Sequence, residues 1–288
     1  MAIKAHVLKR SYPLQMAISD FMQFLRCYST RNQFPTMHNT QENVIVSLTT
    51  TPVRIKKMWP TLHSIFLQSV QPEKIYLWIP KKFKRFPQHE ILELPDFIKN
   101  NPYIQVEFID HDYGPATKLL PCLQSLALRD KKIVVIDDDR IYPRHLIKNL
   151  LHYERFDPYA AIGVAGTVIF GPHRNEFPAT KRIRQVDVLL GFNGYLVKPT
   201  FFSSAVFDYP ENLPEAFFED DVWFSCHLKQ RGIRRILIPA TASTQNRMTL
   251  NKKTMGLCMH ENKDKQNFLR VFNYFNQQNL LNVNDTGF

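Results

Sequence analysis

A chain of 288 residues with 44% hydrophobic and 12% aromatic content is long and apolar enough to bury a sizeable core, which excludes disorder over more than its ends. Its 37 Lys and Arg against 26 Asp and Glu leave a formal charge of +11, so anionic partners are favoured. The basic residues are spread along the chain rather than gathered in one arm with interleaved aromatics; no nucleic-acid partner is expected, and phosphorylated substrates or anionic lipid come first.

Four cysteines, Cys27, Cys122, Cys226 and Cys258, form no CxxC pair and indicate neither a zinc knuckle nor a disulfide framework. No apolar run approaches the roughly 20 residues that span a bilayer. Lys4, Lys9 and Arg10 are not followed by the apolar core and cleavage site of a secretory signal. The expected location is cytoplasmic, at most peripheral on the inner face of a membrane.

Residues 1–42 form a basic amphipathic segment in which Met16, Ile18, Phe21, Met22, Phe24 and Leu25 mark an apolar helical face. That face fits an interfacial helix on anionic membrane, or packing on the domain. A main domain follows over 43–240, and a polar loop and helix over 241–288. The pattern predicts strands at Val44–Leu48, Ile75–Ile79, Ile104–Ile109 and Ile133–Asp137, with a helix over Thr61–Leu67 after the first. Helices over Pro143–Tyr153 and Asp221–Gln230, strands over Ala161–Phe170 and Ile233–Pro239, and an irregular strand region over Val186–Val197 complete the domain. Strands alternating with helices predict an α/β fold with an open, mainly parallel sheet covered on both faces.

The run Ile133-Val134-Val135-Ile136 stops on Asp137-Asp138-Asp139. A buried strand of such a sheet delivers its last side chains into the crevice at the carboxyl edge, where ligands bind. Three adjacent acids repel one another unless a cation sits among them, and hard oxygen donors suit Mn²⁺ or Mg²⁺. A solvated acidic turn is the plainer alternative.

Thr49, Thr50 and Arg54 leave the first strand at the same edge, and an arginine there is suited to clamping a diphosphate. Asp110 follows the third strand, and Lys118 lies beyond the Gly114-Pro115 turn, either reaching a phosphate or exposed on a helix. The late acids Glu219, Asp220 and Asp221 precede a helix. N-terminal capping accounts for one of them. Phe217 and Phe218 beside them favour a desolvated carboxylate that acts as a general base.

In this order, over residues 43–240, the segments resemble the GT-A glycosyltransferases, specifically the family-2-like inverting enzymes. Asp137-Asp138-Asp139-Arg140-Ile141-Tyr142-Pro143 is similar to their DXD metal motif. The resemblance implies a nucleotide-sugar half over 43–143 and an acceptor half over 144–240. It places Asp139 and Asp137 on Mn²⁺ or Mg²⁺, with Asp137 and Asp138 also facing the donor, and the segment with Thr49, Thr50 and Arg54 on the base and ribose. Asp110 and Lys118 would contact the nucleotide. Gly191, Asn193 and Gly194 would line the sugar and acceptor side, and His260 would be a further metal ligand.

Counting back from Gly232, the resemblance places the catalytic base at Asp221, with Asp220 one residue away and Glu219 third. The implied activity is transfer of a sugar from a nucleoside-diphosphate sugar, a UDP-sugar first, to a hydroxyl on a glycan or lipid-linked glycan, with inversion. Two rivals are a haloacid-dehalogenase-like phosphatase and a catalytically silent membrane- or glycan-binding protein.

Overall fold

In the computed structural model the β-branched runs pair into one large sheet. Residues 34–170, 173–177, 180–239, 247–248 and 266–277 are described, with residues 21, 22, 25, 27 and 28 ahead of them. The strands are β1 (Thr40–Thr49), β2 (Gln71–Pro80), β3 (Ile104–Ile109), β4 (Lys132–Val135), β5 (Arg140–Ile141), β6 (Ala160–Gly163) and β7 (Gly166–Phe170). They continue with β8 (His173–Phe177), β9 (Arg184–Gln185), β10 (Val188–Leu189), β11 (Tyr195–Val197), β12 (Arg234–Leu237) and β13 (Arg247–Met248). The longer helices are α1 (Trp59–Phe66), α2 (Leu146–Phe156), α3 (Asp220–Gln230) and α4 (Gln266–Gln277).

Eight strands form the main sheet in the order β3-β2-β1-β4-β11-β6-β12-β9. Neighbours from β3 to β4 are parallel, β11 is antiparallel to both β4 and β6, β12 is parallel to β6, and β9 is antiparallel to β12. The expected mainly parallel sheet is therefore present, as a mixed one.

Successive side chains point to opposite faces of a strand, so each strand feeds two cores. Ile133 and Val135 share one core with Trp223, Phe224 and the α4 residues Phe268, Val271 and Phe275, whereas Val134 and Ile136 share the other with Leu62, Ile65 and Leu146 from α1 and α2. Two-sided burial explains why β4 reads as an unbroken apolar run.

Helix α3 ends where Gly232 takes φ 71°, with Gly232 N–H donating to Lys229 O and Ile233 N–H to Leu228 O. These are the two bonds of a Schellman cap, the expected use of that glycine.

The single strand expected over 161–170 is instead two. β6 stays in the main sheet, while β7 leaves it to pair with β8 and β10. Gly166 permits the departure: a Cβ there would stand 2.7 Å from the Val188 carbonyl oxygen of β10. The region 186–197 is divided in the same way between β10 and β11.

Of the amino-terminal apolar face, Phe21, Met22 and Leu25 are 60%, 47% and 40% exposed while Cys27 is buried. Met16, Ile18 and Phe24 lie outside the described residues. No described helix is long and apolar enough to cross a membrane.

Candidate functional site

At the carboxyl edge of β1 and β4 a cavity of about 330 Å³ opens between the turns that follow β1, β3 and β4 and the acidic start of α3. It lies where the sheet order reverses, the crevice in which open α/β sheets bind ligands.

The three strand-end acids diverge. Asp138 turns inward, 6% exposed: it accepts from Thr50 Oγ1 at 2.6 Å and Arg54 Nη1 at 2.6 Å, and its carbonyl accepts from Thr61 Oγ1 at 2.9 Å. Asp139 accepts from Arg54 Nη2 at 3.0 Å and keeps 31% of its side chain exposed. Burial and the neighbouring Asp138 push its carboxyl up to about 6. Asp137 accepts from Lys118 Nζ at 2.8 Å. Burial works against ionisation, but Lys118, Arg140 and Arg54 hold the Asp137 carboxyl below its usual range.

The cations bonded to these acids are thus side chains, Lys118 and Arg54, and Arg140 Nε stands 3.8 Å from Asp139 Oδ1 as a longer ion pair. The pair expected on a metal separates, Asp137 to the lysine and Asp139 to the arginines. Among the described residues no cluster of three His, Cys, Asp or Glu is arranged to hold a metal ion, and His260 lies outside them.

Lys118 is neither an exposed helix lysine nor a free phosphate ligand. Its side chain is 5% exposed, and Nζ stands 2.8 Å from Asp137, 2.9 Å from Asp220 and 3.9 Å from Asp221. Burial alone would drive off its proton; the three carboxylates reverse that and raise its proton affinity well above the ordinary lysine value. Its backbone is fixed too, since Ser47 Oγ on β1 donates to the Lys118 carbonyl.

Lys118 thereby joins the acids after β4 to those opening α3. Asp221 accepts from Gly191 N–H through Oδ2 at 2.9 Å, while its buried Oδ1 has no hydrogen-bond partner. Burial and Asp220 beside it raise the Asp221 carboxyl well above the carboxylate range. Asp220 is raised as well, chiefly by burial. Glu219 lines the cavity and is pushed to about 7 by burial and Asp220.

Most of the other expected residues organise the cavity. Thr49 lines it but donates its hydroxyl to the Trp78 carbonyl at 2.8 Å. Asn193 is buried at 2%, and Gly194 turns into β11 at φ 84°; from this loop Phe192 reaches the cavity wall.

Asp110 is a correction. It is 89% exposed, pairs with Lys81 at 2.6 Å and is absent from this cavity. Its place is taken by Asp112, which is buried and accepts from the Gly114 and Lys84 amides. Both residues lie beyond β3, which ends at Ile109, so strand alternation does not fix which of them turns inward. Arg140 and Phe192 were also missed as cavity residues. Arg140 adjoins the triple acid, so its place in the sequence was the clue.

No family model matches the chain, and no curated protein matches it. Solved structures do share its architecture. S. aureus TarS 1–349 in complex with UDP aligns at TM-score 0.52 and 12% identity, covering 83% of this chain and 69% of that one. A second structure of S. aureus TarS 1–349 gives TM-score 0.47 at 14% identity, with 84% and 75% covered. The chain has the GT-A fold expected from its sequence, a Rossmann-like mixed sheet flanked by helices.

Proposed function

We propose that this protein transfers a sugar from a nucleoside-diphosphate sugar, a UDP-sugar first, to a hydroxyl group of a glycan or lipid-linked glycan. The observation that carries this reading is the meeting, through Lys118, of the acids at the end of β4 with the acids opening α3, in the cavity at the sheet's reversal. The shared fold with a TarS structure crystallised with UDP supports the choice of donor.

Asp221 is the base. Gly191 N–H fixes one of its oxygens, the other has no hydrogen-bond partner, and its side chain is more open to the cavity (20%) than that of Asp220 (9%). A raised proton affinity suits a carboxylate that must take a proton from a hydroxyl. The acceptor oxygen, losing its proton to Asp221, attacks the anomeric carbon; the bond from that carbon to the diphosphate oxygen breaks, and the nucleoside diphosphate leaves with the electron pair. Attack opposite the leaving group inverts the configuration.

Asp139 is the acid that fits Mn²⁺ or Mg²⁺: it lines the cavity and keeps 31% of its side chain exposed beside its bond to Arg54, while Asp138 is more deeply buried against Thr50 and Arg54 and Asp137 is bonded to Lys118. A divalent ion held there would act as a Lewis acid toward the departing diphosphate.

The test is release of UDP from UDP-sugars in the presence of sugar acceptors. Asp221→Asn is expected to lower turnover by about a hundredfold or more while UDP still binds. Asp139→Ala is expected to remove the Mn²⁺-dependent part of donor binding. Full turnover in the first, or unchanged metal dependence in the second, would remove that residue's role. Failure of every nucleoside diphosphate to bind would sink the reading as a whole.

A further inference from the structure

We propose that Arg140 is the residue that grips the phosphates of the nucleoside-diphosphate donor. This deepens the glycosyl-transfer reading and rests on it.

Two cations beside the strand-end acids cannot turn to a new anion without abandoning a carboxylate: Arg54 holds Asp138 and Asp139, and Lys118 holds Asp137 and Asp220. Arg85 also lines the cavity, on the loop after β2, two strands from β4 in the sheet order, with its guanidinium over the ring of Phe86. Arg140 differs from all three. It directly follows the acids at the end of β4 and lines the cavity, and its side chain is only 18% exposed. Its Nε is buried without a hydrogen-bond partner: it forms a long ion pair with Asp139 Oδ1 at 3.8 Å, too far for a hydrogen bond.

A guanidinium taken out of water with a donor unspent is costly, and a planar fork of donors matches a phosphate. Its position is set from two sides. The β5 backbone pairs with β13, and the guanidinium lies 4.8 Å over the ring of Phe192. Arg140 therefore presents a preset cation at the switch point between β1 and β4, where a diphosphate arriving beside three acids most needs one.

The same chemistry would suit a phosphate carried by the acceptor, and the experiment separates the two sources. Uridine, UMP and UDP are titrated into wild type, Arg140→Gln and Arg140→Lys by calorimetry, with and without Mn²⁺. Wild type is expected to prefer UDP to uridine. Arg140→Gln is expected to lose UDP affinity by about tenfold to a hundredfold, the range for a charged hydrogen bond, with uridine affinity unchanged. Arg140→Lys should fall between them, because a point charge replaces the fork. It also carries the test if the glutamine variant does not fold.

The proposal is overturned if the variants weaken uridine and UDP in equal ratio, or if UDP binding is untouched. Untouched UDP binding together with lost protection by glycerol 3-phosphate in a thermal shift would give Arg140 to the acceptor instead. Wild type that binds neither UDP nor GDP, CDP or ADP would be a separate failure, that of the glycosyl-transfer reading itself.

Discussion

At Lys118 one buried ammonium meets carboxylates from two motifs about 80 positions apart in the chain. Its effect on the chemistry is opposed by Asp220, which lies on the same helix turn as Asp221. Facing the Asp221 carboxyl are Asp220 from its own element, Lys118 from the segment after β3, Asp137 from the end of β4 and the Gly191 amide. Burial and Asp220 raise its proton affinity; Lys118 and Gly191 lower it, and the net shift is upward.

A base works in its unprotonated form, so turnover should rise with pH through a value above the ordinary carboxylate range. Asp220→Asn removes the nearest negative charge and should move that limb to lower pH, with activity retained on the plateau. A kcat–pH profile checks this, and an unmoved limb would mean that Asp221 is not the titrating base. The identities of these residues were readable as a run of acids, but their division of labour was not. Which of Glu219, Asp220 and Asp221 bonds Lys118 and which bonds Gly191 follows from helix phase and from a loop 30 residues earlier.

Gly191 links elements as well as residues, because it lets the short 3-10 turn Gly191–Asn193 approach the start of α3. A Cβ at this position would stand 2.8 Å from Lys118 Nζ and 2.9 Å from Asp221 Oδ1. Neither group can withdraw without breaking its other contacts. Gly191→Ala is therefore expected to displace the base and lower kcat by about tenfold to a hundredfold, the scale on which small misplacements act, while UDP affinity stays near wild type. Calorimetry beside steady-state kinetics separates the two effects, and a variant with normal kcat would show that the contact is slack.

Elements with a strong local signal were legible: β3 and α1 lie where the apolar spacing puts them, and α3 lies between its opening acids and Gly232. The division of 161–170 into β6 and β7 was not, because both halves are apolar and the break depends on Gly166 meeting β10, a contact between distant segments. The antiparallel insertion of β11 between β4 and β6 was equally hidden, since periodicity reports burial and not direction.

Across the whole molecule the sheet is closed on one face by α3 and α4, and at their junction lies a buried ionisable group unconnected with the cavity. His227 packs between the rings of Trp223 and Phe275, with centroids 4.6 Å and 5.2 Å away. Burial, opposed by Gln230, pushes its imidazole down to about 4 from 6.5. The folded state thus binds this proton less readily than the unfolded chain, so the stability His227 contributes is fully present above 6.5 and is lost as pH falls through about 4. Glu219 acts with the opposite sign: raised from 4.5 to about 7, it contributes below 4.5 and loses that contribution as pH rises through about 7.

Because these windows overlap, the wild-type curve alone cannot assign either effect, and a difference between two proteins can. His227→Leu keeps an apolar side chain against Trp223 and Phe275 and removes the titration. Denaturant unfolding should give the two proteins a nearly constant stability difference above 6.5, with the variant gaining about 2 kcal/mol relative to wild type by about pH 4.5. A difference that stays flat across that range would mean that His227 is solvated in the folded state, and that α4 does not seal the face of the sheet as tightly as its packing on α3 indicates.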